Sequence, residues 1–199
     1  MSAGTTTPES ALQALAARVA AEGDPLSAAA TGNPPPEPAL GLFAATGPRT
    51  AADPGSYALV VEAVREGYLC HHGTSRLLDS ADPDLLLLAG DLFYAIGIAR
   101  LAILEDAESV LLLSDLIRVS AELHATGRVE SVPSLWLAQI AALAFGSDLD
   151  LAALIQALRR GDQGTERALD DWSQALAERG GTGGRIGEVR DVLHFGSPV

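Results

Sequence analysis

Three times in its first 85 residues this 199-residue chain sets a capping side chain directly before a proline: Thr7-Pro8, Asp53-Pro54 and Asp82-Pro83. A side-chain oxygen there satisfies free N–H groups of a helix's first turn, and proline's fixed φ suits the first helical position. The pairs precede long runs in which apolar residues recur every three or four positions, so the chain is committed to helices. No segment alternates apolar and polar residues over strand length, and β-branched residues are sparse. The sequence predicts an all-α fold, a bundle of six to eight helices. With 48% of positions hydrophobic it can bury one sizeable core.

The chain divides into four stretches. Residues 1–23 hold an N-terminal helix, from about Pro8 to Ala21. Residues 24–52 form a Pro/Ala-rich linker or arm, because the prolines at 34, 35, 36 and 38 break any regular element around them. Leu40, Leu42 and Phe43 are the arm's only sizeable apolar cluster, placed to pin it to the core. Residues 53–179 make the bundle core. Its first helix, Pro54 to about Leu69, presents Val60, Val61, Val64 and Tyr68. The second, Pro83 to Leu104, is apolar on every side, which predicts a helix surrounded by protein. The third, Ala107 to Ala125, sets a polar stripe (Glu108, Asp115, Arg118, Glu122) against an apolar one (Val110, Leu113, Ile117, Ala121). Pro133 to Phe145 follows, then a helix capped by Ser147-Asp148 and ending at Arg159-Arg160-Gly161, then Thr165 to Arg179. Residues 180–199 read as a Gly-hinged C-terminal tail with a short segment around Ile186 to Leu193.

Charge and composition remove several chemistries. All 13 basic residues are Arg, against 26 acids, for a net charge of -13. Without lysine there is no P-loop lysine, Schiff base or Ser–Lys dyad. The acidic balance opposes nucleic acid as a partner. A single Cys excludes an internal disulfide and multi-cysteine metal sites. The first twenty residues lack a basic region and an unbroken apolar run, so no signal peptide is expected. The stretch Leu85–Leu104 is long enough to span a bilayer, but Asp91 and Arg100 within it argue against a transmembrane segment. A cytoplasmic location is expected.

Few residues stand out for chemistry. Asp91 shares a face with Leu87, Leu88, Ala95 and Ile98, so it is expected to point into an apolar seam. There it either bonds a neighbouring helix end, arginine or hydroxyl, or serves as a ligand carboxylate. Gly90 and Gly97, seven apart, suit close approach by another helix or by a ligand, and Tyr94 lies between them. Cys70, His71 and His72 are adjacent, which rarely lets side chains converge on one metal. His124 lies on the apolar side of its helix and could meet His71 or His72. These four are the weakest of metal candidates, since no CxxC, HxxxH or HExxH spacing accompanies them. Asp170-Asp171 reads as solvated surface. No cofactor is expected.

The segment Leu85–Gly127, with Leu88-Ala89-Gly90-Asp91 at its start, resembles the region after the first aspartate-rich motif of trans-type polyprenyl diphosphate synthases. The likeness covers about Tyr57 to Gly127. Family catalysis uses two DDxxD-type clusters that hold magnesium against the substrate diphosphates, helped by basic side chains. Here Asp79, Asp82 and Asp84 do not form that motif, Asp170-Asp171 lacks the third acid, lysine is absent and the chain is shorter than a complete synthase. The resemblance therefore implies an isoprenoid-synthase-like fragment, most similar to the non-catalytic small subunit of heterodimeric synthases (heptaprenyl diphosphate synthase component I-like). Such a subunit shows no activity alone and pairs with a catalytic prenyl synthase subunit. Gly90, Asp91, Tyr94 and Gly97 would lie at an interface or beside a prenyl chain. The alternative is a homo-oligomeric helical scaffold or binding protein with no prenyl role, whose partner is itself.

Overall fold

The computed structural model describes residues 6–33 and 35–194. Pro34 of the proline run and the last five residues of the predicted tail lie outside the described residues. Each proline-marked start opens a helix. Ser10 Oγ accepts from the Thr7 N–H at 2.9 Å, and the turn it closes leads into α1 (Ala11–Ala21). Asp53 accepts from the Ser56 N–H at the head of α4 (Pro54–His72), and Asp82 from the Asp84 and Leu85 N–H groups at the head of α5 (Pro83–Ile103). The same device recurs without proline: Asp106 caps α6 (Ala107–Ala125) and Asp148 caps α8 (Leu149–Arg160). α8 ends on Gly161 with φ +81°, a left-handed turn that suits glycine. α7 (Val132–Phe145), α9 (Thr165–Arg179) and α10 (Ile186–His194) complete the bundle.

The fold is all-α, with no named strand among the described residues. It has more helices than six to eight, because the 24–52 stretch contains two short ones: α2 (Leu26–Ala29) and α3 (Ala39–Ala44). The last proline, Pro38, precedes α3 as its N-cap, where a missing N–H costs nothing. This arm is fastened at several points. Leu40 and Phe43 are fully buried, while Leu42 is only partly so. Thr31 N–H donates to Leu77 O at 2.9 Å, and Arg49 N–H to Ala144 O at 3.1 Å. Nor is the C-terminal stretch a hinged tail over its described part. Ile186, Val189 and Leu193 of α10 are buried against α3 and α7, because three apolar residues at helical spacing find an apolar floor there.

The centre of the bundle is α4. Every residue from Val60 to Cys70 is buried, with α1 and α5 on one side, α3 and α6 on others, and Trp136 of α7 against Tyr68. It separates a large apolar cluster built on α3 and α6–α10 from a smaller one built on α1 and α5. The expectation that α5 is surrounded by protein is wrong. Six of its 21 residues are buried: Leu85, Ala89, Gly90, Phe93, Gly97 and Leu101. By length and composition α5 could cross a membrane. On α6 the buried face holds Leu113, Leu116, Val119, Ser120 and Leu123, so the predicted stripe is rotated. Val110 and Ile117 are half-buried and Ala121 is exposed. Asp171 is exposed, and Asp170 lies 3.5 Å from Arg190 on α10.

Candidate functional site

α4 and α5 meet through glycines. A Cβ on Gly67 would stand 2.6 Å from the Tyr94 ring and 3.0 Å from Gly90 O; one on Gly90, 2.6 Å from His71 Nε2; one on Gly97, 3.0 Å from Val64 Cγ2. No ordinary side chain fits such gaps, so the two helices run close here. This seam joins residues that are separate in sequence. Tyr94 stacks on His71 with ring centroids 5.4 Å apart and planes within 9°. His71 Nε2 lies 3.2 Å from Asp91 Oδ1, near enough for electrostatic attraction but not aligned as a hydrogen bond.

Asp91 itself does not point into an apolar seam. Its side chain is 74% exposed, with the edge of His71 beside it. The reason lies in the neighbours it was read against. α4 packs on the face of α5 with the smallest residues, Ala89, Gly90 and Gly97. Asp91, one residue past Gly90, is turned about 100° away from it. Leu87 and Leu88, expected to share a buried face with Asp91, share its exposure instead.

At the C-terminal end of α4 a second cluster forms. The rings of His72 and His124 stack with centroids 3.9 Å apart and planes within 10°. The Tyr68 hydroxyl and His124 Nε2 share a hydrogen bond at 3.0 Å, and Tyr68 meets Trp136 edge-on at 5.3 Å. The Arg65 guanidinium sits over both aromatic rings, 5.1 Å from the Tyr68 centroid and 5.2 Å from the Trp136 centroid. Arg65 is 3% exposed and makes no hydrogen bond or ion pair among the described residues, so cation–π contact is its main support. Burial pulls its pKa down to about 10, and Arg76 pulls the same way.

The protonation states follow from burial. His72 is pushed down to about 4, by burial first and then by His124 and His71. Burial also lowers His124 and raises Tyr68. Burial, then Glu66, pushes the Cys70 thiol up to about 12, so it is neither nucleophile nor ready metal ligand at neutral pH. Among the described residues no three His, Cys, Asp or Glu side chains gather to hold one metal ion. The stacked imidazoles face one another ring to ring, whereas metal-binding lone pairs lie in the ring plane. The cluster sets neutral rings around one buried cation; no nucleophile faces a base within it.

A further charged group, which sequence reasoning missed, underlies both clusters. Glu62 and Glu66 on α4 are completely buried. Arg76, in the α4–α5 connection, donates from Nη1 to Glu62 at 2.8 Å and from Nε to Glu66 at 2.9 Å. Glu62 also accepts from the Gly41 N–H at 2.7 Å. Glu66 accepts from Ser75 Oγ at 2.5 Å and from the Arg76 N–H at 2.7 Å. Burial works against the charge on Arg76, but the two carboxylates outweigh it and its pKa is raised. With Arg65 the charges of this group balance, two of each sign, and of the four only Arg76 is partly exposed. The available signal was the spacing of Glu62, Arg65 and Glu66 on one face of a helix whose other face is valine. Nothing in the spacing pointed to Arg76.

No protein-family model, curated protein or solved structure matches this chain.

Proposed function

We propose that this chain is a non-catalytic helical subunit acting through protein contacts made by the outward face of α5. The observation that carries the reading is the exposure of that face. Leu88 is 66% and Ile103 70% exposed, and Leu92, Ala95 and Ala99 continue a stripe between them at spacings of four and three. A contiguous apolar stripe on a folded chain marks an interaction surface. Beside it, between Arg18 and Arg100, a groove of about 450 Å³ is lined by Leu59, Ile96 and the stripe itself.

The partner that the resemblance implies is a catalytic polyprenyl diphosphate synthase subunit, with the pair acting in the cytoplasm. The contact would be protein to protein. Beside Gly90 and Gly97 the space a prenyl chain needs is filled by His71, Cys70 and Val64. A second reading is self-association, in which the same exposed stripe of one copy packs on that of another about a two-fold axis.

Affinity capture from the native host with mass spectrometry, alongside light scattering of the purified chain, tests both. Stoichiometric recovery of a DDxxD-bearing synthase supports the first reading, and a dimer lost on Leu88→Asp supports the second. A monomer that captures no such synthase, or a chain recovered only with membranes, overturns the proposal.

A further inference from the structure

The Arg65 guanidinium lies against the rings of Tyr68 and Trp136, its central carbon 5.1 Å and 5.2 Å from their centroids. Ring faces offset a cation's charge, but they accept nothing from the N–H groups that point outward in the guanidinium plane. Those donors meet no acceptor among the described residues, although the side chain is only 3% exposed. Neither Glu62 nor Glu66 supplies one. Both are held by Arg76, so the charges of this group balance in sum without an ion pair at Arg65. The surroundings are short of acceptors, not donors: the Trp136 indole N–H is also buried without one. Buried donors nearly always have partners, and a charged one costs most when left alone.

The guanidinium is not sealed in. Trp136 Nε1 and Arg76 Nη2 are enclosed completely, whereas the nitrogens of Arg65, equally unbonded, keep a share of what surface the residue has. A buried cation therefore faces a narrow opening that admits a group about the size of a water molecule. Phosphate, sulfate and carboxylate-bearing molecules are larger than that. Glu62 and Glu66, on the same helix, disfavour an ion with more than one negative charge.

We propose that Arg65 binds a small monovalent anion of halide size. The ion accepts from the in-plane N–H groups, while Tyr68 and Trp136 hold the plane of the guanidinium from its faces. It supplies the acceptor that the chain itself does not bring to this place.

Bromide reads the site through Trp136, which is fully buried and beside Arg65, because a heavy anion quenches indole fluorescence at close range. The chain has two tryptophans, so Trp172→Phe leaves Trp136 alone. In that protein bromide quenching should saturate at millimolar concentration, the range that a few charge-assisted hydrogen bonds support. Neutral acrylamide, too large for the opening, should quench little. Chloride should compete with bromide, and gluconate at equal ionic strength should not. Arg65→Gln should weaken bromide by about tenfold or more, as loss of a charged partner implies. Should that variant fail to fold, the unaltered chain decides: its thermal midpoint should rise with chloride along a saturating curve and stay flat in gluconate. Bromide quenching that never saturates, chloride and gluconate acting alike, or full bromide affinity in Arg65→Gln overturns the proposal and leaves water as the acceptor.

Discussion

α4 carries Glu62, Arg65 and Glu66 and is buried continuously from Val60 to Cys70, while α5 beside it has one acid and one base between Leu85 and Leu104 and buries six of its 21 residues. Mean apolarity would exchange their places. What places α4 inside is that its charges are answered: both carboxylates by Arg76 and main-chain N–H groups, and Arg65 by two aromatic faces. What leaves α5 at the surface is that only its glycine-bearing side lets another backbone come near. A helix goes to the centre when its polar groups have partners, and apolar residues on every side do not by themselves bring it there.

The largest effect should come from removing the answer to those charges. Arg76→Met leaves Glu62 and Glu66 buried without their cation, and loss of one member of a buried pair costs about 3–5 kcal/mol. Urea unfolding followed by circular dichroism measures it. A loss below about 1 kcal/mol, the range of exposed pairs, would show that water reaches the cluster and that α4 is not the closed centre described above.

The glycine seam sharpens the same contrast from the α5 side. Gly67→Ala places a methyl group 2.6 Å from the Tyr94 ring, with Gly90 O at 3.0 Å behind it. The helices must separate or Tyr94 must turn off His71, at a cost of about 1–3 kcal/mol for overpacking. If thermal melting shows Gly67→Ala to be neutral or stabilising, the closeness of α4 and α5 is not what fixes the face of α5.

In the second cluster, at the C-terminal end of α4, stability should depend on pH. His72 is pushed from 6.5 down to about 4, chiefly by burial and then by His124 and His71. Above pH 6.5 it is neutral in both folded and unfolded chains. As pH falls from there toward 4, the unfolded chain takes up a proton that the folded one refuses, so stability declines through that window. The ring is half-buried and solvent screening keeps the effect modest. His72→Gln should flatten the decline in urea midpoints measured across the window. An unchanged slope in that variant would assign the decline to other groups.

How much of this could be read from sequence follows from what each signal encodes. Caps and prolines are local, so the long helices were legible to within a few residues, including the one that Asp148 begins. α2 and α3 were hidden because prolines count against helix until one sees that Pro38 stops just short of Ala39. Facing is not local: apolar residues surround α5, and only the packed partner shows which side is inside, so Asp91 and the stripe on α6 were turned the wrong way. Gly90, Tyr94, His71, His72 and His124 were each picked out, but their meeting depends on the α4–α5 pairing. Arg76 lies ten residues past Glu66 in a connection, a spacing that carries no signal.

The smallest effect on folding, and the sharpest test of the contrast, lies on the outward face of α5. Leu88→Ser and Ile103→Ser each remove a large apolar side chain, as a core substitution would. Both positions are mostly exposed, so each should change the stability of the isolated chain by no more than about 0.5 kcal/mol. A core leucine at Leu101, fully buried on the same helix, should cost about 2–5 kcal/mol on truncation to Ala. If Leu88→Ser instead costs as much as Leu101→Ala, and the loss shrinks on dilution, the outer face is already covered by a second copy under the conditions measured. A concentration-independent loss of that size would mean that α5 packs more deeply than its neighbours on α4 allow, and the distinction between the two helices would fail.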